Sequence, residues 1–93
     1  MNTRIKTIEN KLKTWIALVE KKTEEKIDLT YDVDLDNKII NIYYDGFTYE
    51  IINYYFSDGW NFCGLGEKFD NLLDGTSFSM ERETSYHITF YQD

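Results

Sequence analysis

The sequence predicts an α+β fold, in which an N-terminal amphipathic helix packs on an antiparallel β-meander, with a second short helix and a C-terminal hairpin. Two observations carry this. Apolar residues recur every three to four positions through the first quarter of the chain and every second position afterwards. The period-two stretch is also cut at short intervals by turn sequences rich in Asp, Asn and Gly.

The spacing predicts a helix over 3–25. Ile5, Ile8, Leu12, Trp15, Ile16 and Val19 form one apolar stripe, about 100° wide on a 3.6-residue helix. Asn2 or Thr3 is the expected N-cap, since either side chain can accept from a first-turn N–H. Leu18 falls off the stripe and is expected at its edge, and the lysine-rich outer side reads as a solvated face. From Lys26 onward, Ile27, Leu29, Tyr31, Val33 and Leu35 alternate with Asp28, Thr30, Asp32, Asp34 and Asp36, the pattern of a strand with one buried face. Asp36-Asn37 is a turn candidate. Asp45-Gly46 is a stronger one, a preferred type I′ pair. These turns predict strands over 38–44 and 47–56.

Two-residue loops at both turns fix a register. The first pairs Val33 with Ile40, Tyr31 with Ile42 and Leu29 with Tyr44. The second pairs Tyr44 with Phe47, Ile42 with Tyr49 and Ile40 with Ile51. Directly opposed residues share a face, so both hairpins gather one apolar set, and a one-residue slip in either would mix the faces. Further on, Ser57-Asp58-Gly59 reads as a turn and Trp60–Phe62 as a short strand. Glu67 to Asp74 reads as a short helix closed by Gly75, with Phe69, Leu72 and Leu73 inward and Glu67, Asp70 and Asp74 outward. Phe78/Met80 and Tyr86/Ile88/Phe90 alternate on two last strands, with a turn near Glu83-Thr84-Ser85. All of this fits a single domain over 1–93, since domains cluster near ~100–150 residues.

An apolar content of 42% is enough for a core, so disorder is not expected despite a net charge of −7. No apolar run approaches the ~18 residues of a membrane span, and the basic, polar start does not read as a secretory signal. Cys63 is the only cysteine, and with no glycosylation sequon a reducing cytoplasm is the expected location. Eight tyrosines exceed what a small core can satisfy, so some are expected at an interface. The charge is uneven: residues 1–26 sum to +3 and residues 27–93 to −10. Direct nucleic-acid binding is therefore not expected, whereas attraction to basic surfaces is.

Catalytic chemistry has little to work with, and the chain does not read as an enzyme. One histidine and one cysteine make no triad and fall short of the three or four nitrogen or sulfur ligands of a zinc site. His87 is out of phase with Ile88 and reads as a surface residue, while Cys63 reads as a small buried hydrophobe. Asp32 to Asn37 begins like a calcium loop but has Asn37 in place of glycine at position six and Tyr43 in place of glutamate at position twelve. Gly64-Leu65-Gly66 lacks the third glycine of a dinucleotide fingerprint and reads as a plain loop. No cofactor or metal is expected.

The predicted register leaves a second face to account for. It carries Asp28, Thr30, Asp32 and Asp34, then Ile39, Asn41, Tyr43 and Asp45, then Thr48, Glu50 and Ile52. Asp28 stands opposite Asp45, and opposed like charges are destabilising by roughly 0.2–1 kcal/mol, so folding alone gives no reason for them. One reading is a solvated face that keeps the protein soluble. The other is a phosphate mimic. Alternate strand residues lie ~6.6 Å apart, close to the ~6.8 Å of two steps along one DNA strand, and few bases are interspersed. Asp74 adds a carboxylate at a predicted helix C-terminus, where the dipole disfavours it. On the second reading Asp28, Asp32, Asp34, Asp45, Glu50, Glu67, Asp70 and Asp74 meet the partner as stand-ins for phosphates, and Tyr43 as a stand-in for a stacking base. The expected partner is a protein with a basic nucleic-acid-binding surface.

In size, negative charge, proline-free and aromatic-rich composition, and a leading helix followed by a hairpin, the chain resembles the small acidic anti-CRISPR proteins and other phage-encoded DNA mimics. The resemblance extends to a strand-Asp-Gly-strand hairpin from Ile39 to Ile52 and to the triplet Gly59-Trp60-Asn61, about a third of the chain. The final strands, Phe78–Glu81 and Tyr86–Tyr91, depart from it. The resemblance implies an inhibitor acting in the cytoplasm of an infected or lysogenic bacterial host, where it blocks DNA engagement by a CRISPR effector nuclease. It carries over no individual inhibitory residue. Two other classes remain open: an immunity protein or antitoxin capping a basic toxin nuclease, and a structural protein forming a homodimer through Ile39, Ile52 and Leu18.

Overall fold

The apolar stripe forms a helix, α1 (Ile5–Thr23), in the computed structural model, which describes residues 4–54 and 64–92. Ile8, Leu12, Trp15 and Val19 are its buried positions, with Ile5, Ile16 and Leu18 half-buried beside them. Arg4 occupies the N-cap position with no side-chain cap, so the helix begins one residue later than the expected Thr3 cap allows. It ends where Glu24 turns left-handed at φ 58° and donates its N–H to the Glu20 carbonyl. The Glu20 carboxylate then accepts from the Ile27 N–H at 3.3 Å, tying the helix to the first strand.

The first hairpin has the predicted register. Strands β1 (Leu29–Asp34) and β2 (Ile39–Tyr44) pair antiparallel with Leu29 opposite Tyr44, Tyr31 opposite Ile42 and Val33 opposite Ile40. The loop is wider than two residues. Asp34 closes it by accepting from the Asn37 backbone N–H at 3.1 Å and side-chain amide at 2.8 Å, and Lys38 takes a left-handed φ of 57°. Because β1 stops at Asp34, Leu35 leaves the apolar face and stands 70% exposed in the loop.

The predicted third strand of the meander is instead a helix, α2 (Gly46–Tyr54). Asp45-Gly46 does not form a hairpin turn. The Asp45 carbonyl accepts the first helical bond from Tyr49 at 3.2 Å, which makes Asp45 the N-cap residue, and its side chain accepts from the N–H of the next residue, Gly46, at 2.7 Å. Gly46 follows at φ 53°, where a side chain would be strained. The pairs Tyr44/Phe47, Ile42/Tyr49 and Ile40/Ile51 therefore do not exist. Thr48, Ile51 and Ile52 point into the core at 0%, 0% and 1% exposure, so Thr48 and Ile52 are not outer-face residues.

The place beside β2 belongs to the chain's last strand. Strands β3 (Phe78–Thr84) and β4 (His87–Gln92) form a hairpin, and β4 pairs antiparallel with β2, setting Ile40 against Phe90 and Ile42 against Ile88. The sheet order is β1-β2-β4-β3, with a bulge between Arg82 and Thr84 on the β3 edge. A third helix, α3 (Leu65–Asp70), is shorter than predicted. It ends at Asn71, and Gly75 takes φ 78° only after a further run of turns. Asp74 is thus not at a helix C-terminus, and that argument for it falls away. The expected turn at 57–59, the strand at 60–62, Cys63 and the triplet 59–61 lie outside the described residues, as do Asn2 and Thr3.

The three helices cover one face of the sheet. Their buried side chains form one cluster with Ile40, Ile42, Tyr44, Phe78, Ile88 and Phe90. Trp15 joins α1 to α3 by packing its ring at 4.8 Å on Phe69, tilted by 58°, and donating its indole N–H to the Leu65 carbonyl at 2.9 Å, while Phe69 reaches Phe90 of the sheet at 6.0 Å. At the other side Tyr31 donates to the Glu9 carboxylate at 3.1 Å, and burial, then that bond and the Glu9 charge, raise its hydroxyl above the ordinary tyrosine value.

Two substitutions test this core. Ile42→Ala empties a fully buried site between β1 and β4 and should lose about 2–5 kcal/mol in denaturant unfolding. The Thr48 hydroxyl, buried on α2, finds no hydrogen-bond partner among the described residues. Thr48→Val is thus expected to leave stability unchanged or raised. A loss above about 1 kcal/mol in that variant would mean that the hydroxyl is satisfied in solution.

Candidate partner-binding face

Antiparallel sheets commonly leave one face to solvent, and here the face opposite the helices is open among the described residues. Strand alternation decides what stands on it. β1 presents Thr30, Asp32 and Asp34, with Asp28 just before the strand. β2 presents Ile39, Asn41 and Tyr43, and β4 presents His87, Thr89 and Tyr91. On the far edge, β3 adds Ser79 and Glu81 in register with Tyr91 and Thr89.

The four strands carry a single Lys or Arg, which is Arg82. In register with Ile88, it turns to the helical side, where its guanidinium lies 3.8 Å from the Asp70 carboxylate and 3.5 Å from the Ile52 carbonyl. The open face therefore has carboxylates toward both edges and no strand cation.

Its centre is polar and aromatic. Asn41 Oδ1 accepts from the Thr89 hydroxyl at 3.3 Å and lies 3.1 Å from His87 Nε2. Tyr43 stacks on the His87 ring at 4.5 Å with 21° between planes, while remaining 45% exposed. His87 does face away from Ile88, as its phase implies. Its partners Asn41 and Thr89 went unnoticed in the sequence because nothing local links β4 to β2.

The nine residues expected at a partner surface divide into groups. Asp28, Asp32, Asp34, Tyr43 and Asp45 do share the open side, with Asp28 paired to Asp45 through a 3.1 Å backbone bond. Glu50 does not, because its segment is α2. Glu67 and Asp70 on α3, and Asp74 after it, are exposed among the helices on the opposite side, and Asp70 is engaged with Arg82.

Three of the five on the open side have local tasks that the sequence reading did not give them. Asp45 caps α2, and Asp28 sits against the same helix start: a Cβ added to Gly46 would come within 2.8 Å of an Asp28 carboxylate oxygen. The positive end of a helix favours nearby anions by typically 0.3–1 kcal/mol, which offsets the repulsion of the opposed pair. Folding thus does give a reason for Asp28 facing Asp45. Asp34 serves its loop, and Asn37, first through its side chain and then its N–H, holds the Asp34 carboxyl below the ordinary aspartate value. Asp32 and Glu81, both exposed, are assigned no such task by the described contacts. Among the described residues no three of His, Cys, Asp and Glu converge as metal ligands, and no helix is long and apolar enough to cross a membrane.

No protein family, characterised protein or solved structure matches this chain.

Cap and charge can be separated at Asp45. Asp45→Ala should destabilise by about 1 kcal/mol, whereas Asp45→Asn should keep most of the cap, because Asn and Asp rank together at this position. Equal losses would show that charge, not the cap bond, is what the site supplies. Asp34 offers a titration test. A carboxyl depressed in the folded state contributes stability above its unfolded pKa and loses it as pH falls through the folded one. Carboxyl NMR should find Asp34 titrating below an ordinary aspartate and returning toward that value in Asn37→Ala, with identical curves refuting the loop contact.

Proposed function

We propose that this protein is an acidic binding module whose open sheet face occupies a basic nucleic-acid-binding groove of a partner nuclease and keeps the nucleic acid out. The observation that carries this reading is the absence of Lys and Arg from the strand positions of the open face, with carboxylates standing toward both of its edges and Lys26 only at its rim. An ordinary charged surface intersperses the two signs. A face of one sign repels nucleic acid, steers basic surfaces toward itself and discriminates against acidic partners. The partner class fitting this chemistry and the anti-CRISPR resemblance is an RNA-guided effector nuclease. A basic toxin nuclease, capped by an immunity protein, would present the same chemistry. The assembly reading is weaker, since Ile52 lies in the core and Ile39 and Leu18 stand on opposite layers.

Asp34 and Asp45 accept backbone N–H bonds that hold the fold, so the test uses other acids, including Asp28, where the helix-start attraction and the repulsion from Asp45 offset each other. Asp28→Asn, Asp32→Asn and Glu81→Gln together remove three charges and keep the shapes. Partner captured from a bacterial lysate on the immobilised wild-type protein should be released by duplex DNA and by rising salt. The triple variant should keep its thermal midpoint and lose ~1–3 kcal/mol or more of affinity. Retained affinity together with flat salt dependence and no competition by DNA would remove the reading.

A further inference from the structure

We infer that the groove at the α2 end of the open face receives an arginine side chain from a basic protein partner. This deepens the acidic-module reading and rests on it. Among the described residues only three large apolar side chains are exposed, Leu35, Tyr43 and Tyr86. Two of them, Tyr43 and Tyr86, line this one groove together with Thr30, Asp28 and Asp45, and Thr30 stands on the β1 side of Tyr43, away from Tyr86.

Each wall is held in place. One face of the Tyr43 ring is covered by His87, and its neighbour toward the sheet edge is Thr30, too short to cover the other. Tyr86 rests on Tyr49 of α2 at 4.7 Å and is fixed at its backbone by the 3.1 Å bond from the Tyr44 N–H to its carbonyl, yet it remains 52% exposed. Asp28 and Asp45 are positioned by the start of α2, and neither forms an ion pair with a described cation. Lys26 stands at the rim without such a pair.

Exposed aromatic faces beside unpaired carboxylates suit a guanidinium better than other occupants. Its plane stacks on tyrosine while its fork donates to carboxylates, whereas an ammonium keeps its water and lacks the plane. A nucleotide's phosphate would meet two aspartates. A second copy of this chain brings mainly lysines, since Arg4 is the only arginine among the seven cations of residues 1–26.

The test titrates the full chain with hexa-arginine and hexa-lysine at low salt, followed by backbone NMR. Hexa-arginine should shift the amides of Thr30, Tyr43, Asp45 and Tyr86 and bind about fivefold or more tighter than hexa-lysine. Tyr43→Leu, at an exposed position, should abolish that preference. Asp28→Asn with Asp45→Asn should weaken binding by about tenfold or more while the amides preserve the cap. Lys26→Ala should strengthen it.

Hexa-arginine binding along Asp32 and Glu81, indifferent to Tyr43→Leu, would overturn the groove and leave the acidic module standing. No binding of either peptide would overturn both. Groove binding as described, without release of the captured partner by DNA, would keep the groove and remove the competition with nucleic acid. A concentration-dependent dimer in sedimentation, abolished by Tyr43→Leu, would make the occupant a second copy and overturn the partner assignment.

Discussion

Ile40 and Ile42 meet Phe90 and Ile88 across the β2–β4 ladder, and the rest of the architecture is arranged around that contact. All four side chains are fully buried, and each such burial is worth about 1.5–3 kcal/mol. Once β4 holds this edge of β2, residues 46–54 have no strand to pair with. Their backbone groups then need another partner, and a helix supplies one internally. Asp45 starts that helix where β2 ends, so Thr48, Ile51 and Ile52 close the core from above. The same ladder places His87 beside Tyr43 and Thr89 beside Asn41, which assembles the centre of the open face. Core and face are therefore two sides of one pairing.

This explains which parts of the structure were legible in the sequence. α1 and the β1–β2 register were, because each is fixed by a local period and a nearby turn. The failure at 46–54 has a specific cause. Phe47, Tyr49 and Ile51 satisfy a period of two, while Phe47, Thr48, Ile51 and Ile52 satisfy a helical one, and a short apolar run cannot choose between them. β-branched and aromatic residues favoured the strand. Asp-Gly is equally a hairpin turn and an N-cap followed by a first helical residue. The deciding fact is that β4 competes for the same edge, and no local pattern reports it. Of the candidate site residues, Asp28, Asp32, Asp34, Tyr43 and Asp45 were placed together correctly because they depend only on the β1–β2 register. Glu50 depended on the failed strand, and Glu67, Asp70 and Asp74 belong to a separate element.

The acidic residues also turn out not to be interchangeable. Asp45 and Asp34 satisfy backbone N–H groups at a helix start and in a loop, tasks for which Asp is preferred on local grounds alone. Their presence is weaker evidence of a partner than a charge count implies. What local structure leaves unexplained is the sorting: seven of the chain's ten Lys and Arg precede Ile27, and the one strand cation faces the helices. Solubility requires a net charge but no such segregation.

The chemistry at the centre of the open face narrows what can cover it. A sheet face meant to receive a helix or an apolar dimer partner would carry Val, Ile or Leu there. Here Asn41, Thr89 and His87 satisfy one another within the sheet. An apolar partner would desolvate that network for little return, since buried polar groups cost free energy wherever a bond is left unmade. A polar, cationic partner does not meet this penalty, because its donors can bond the remaining acceptors and the flanking carboxylates. Tyr43 then contributes apolar area at low entropy loss, as tyrosine does at many interfaces. Polarity at the centre and charge at the edges thus support the proposed class of partner by independent routes.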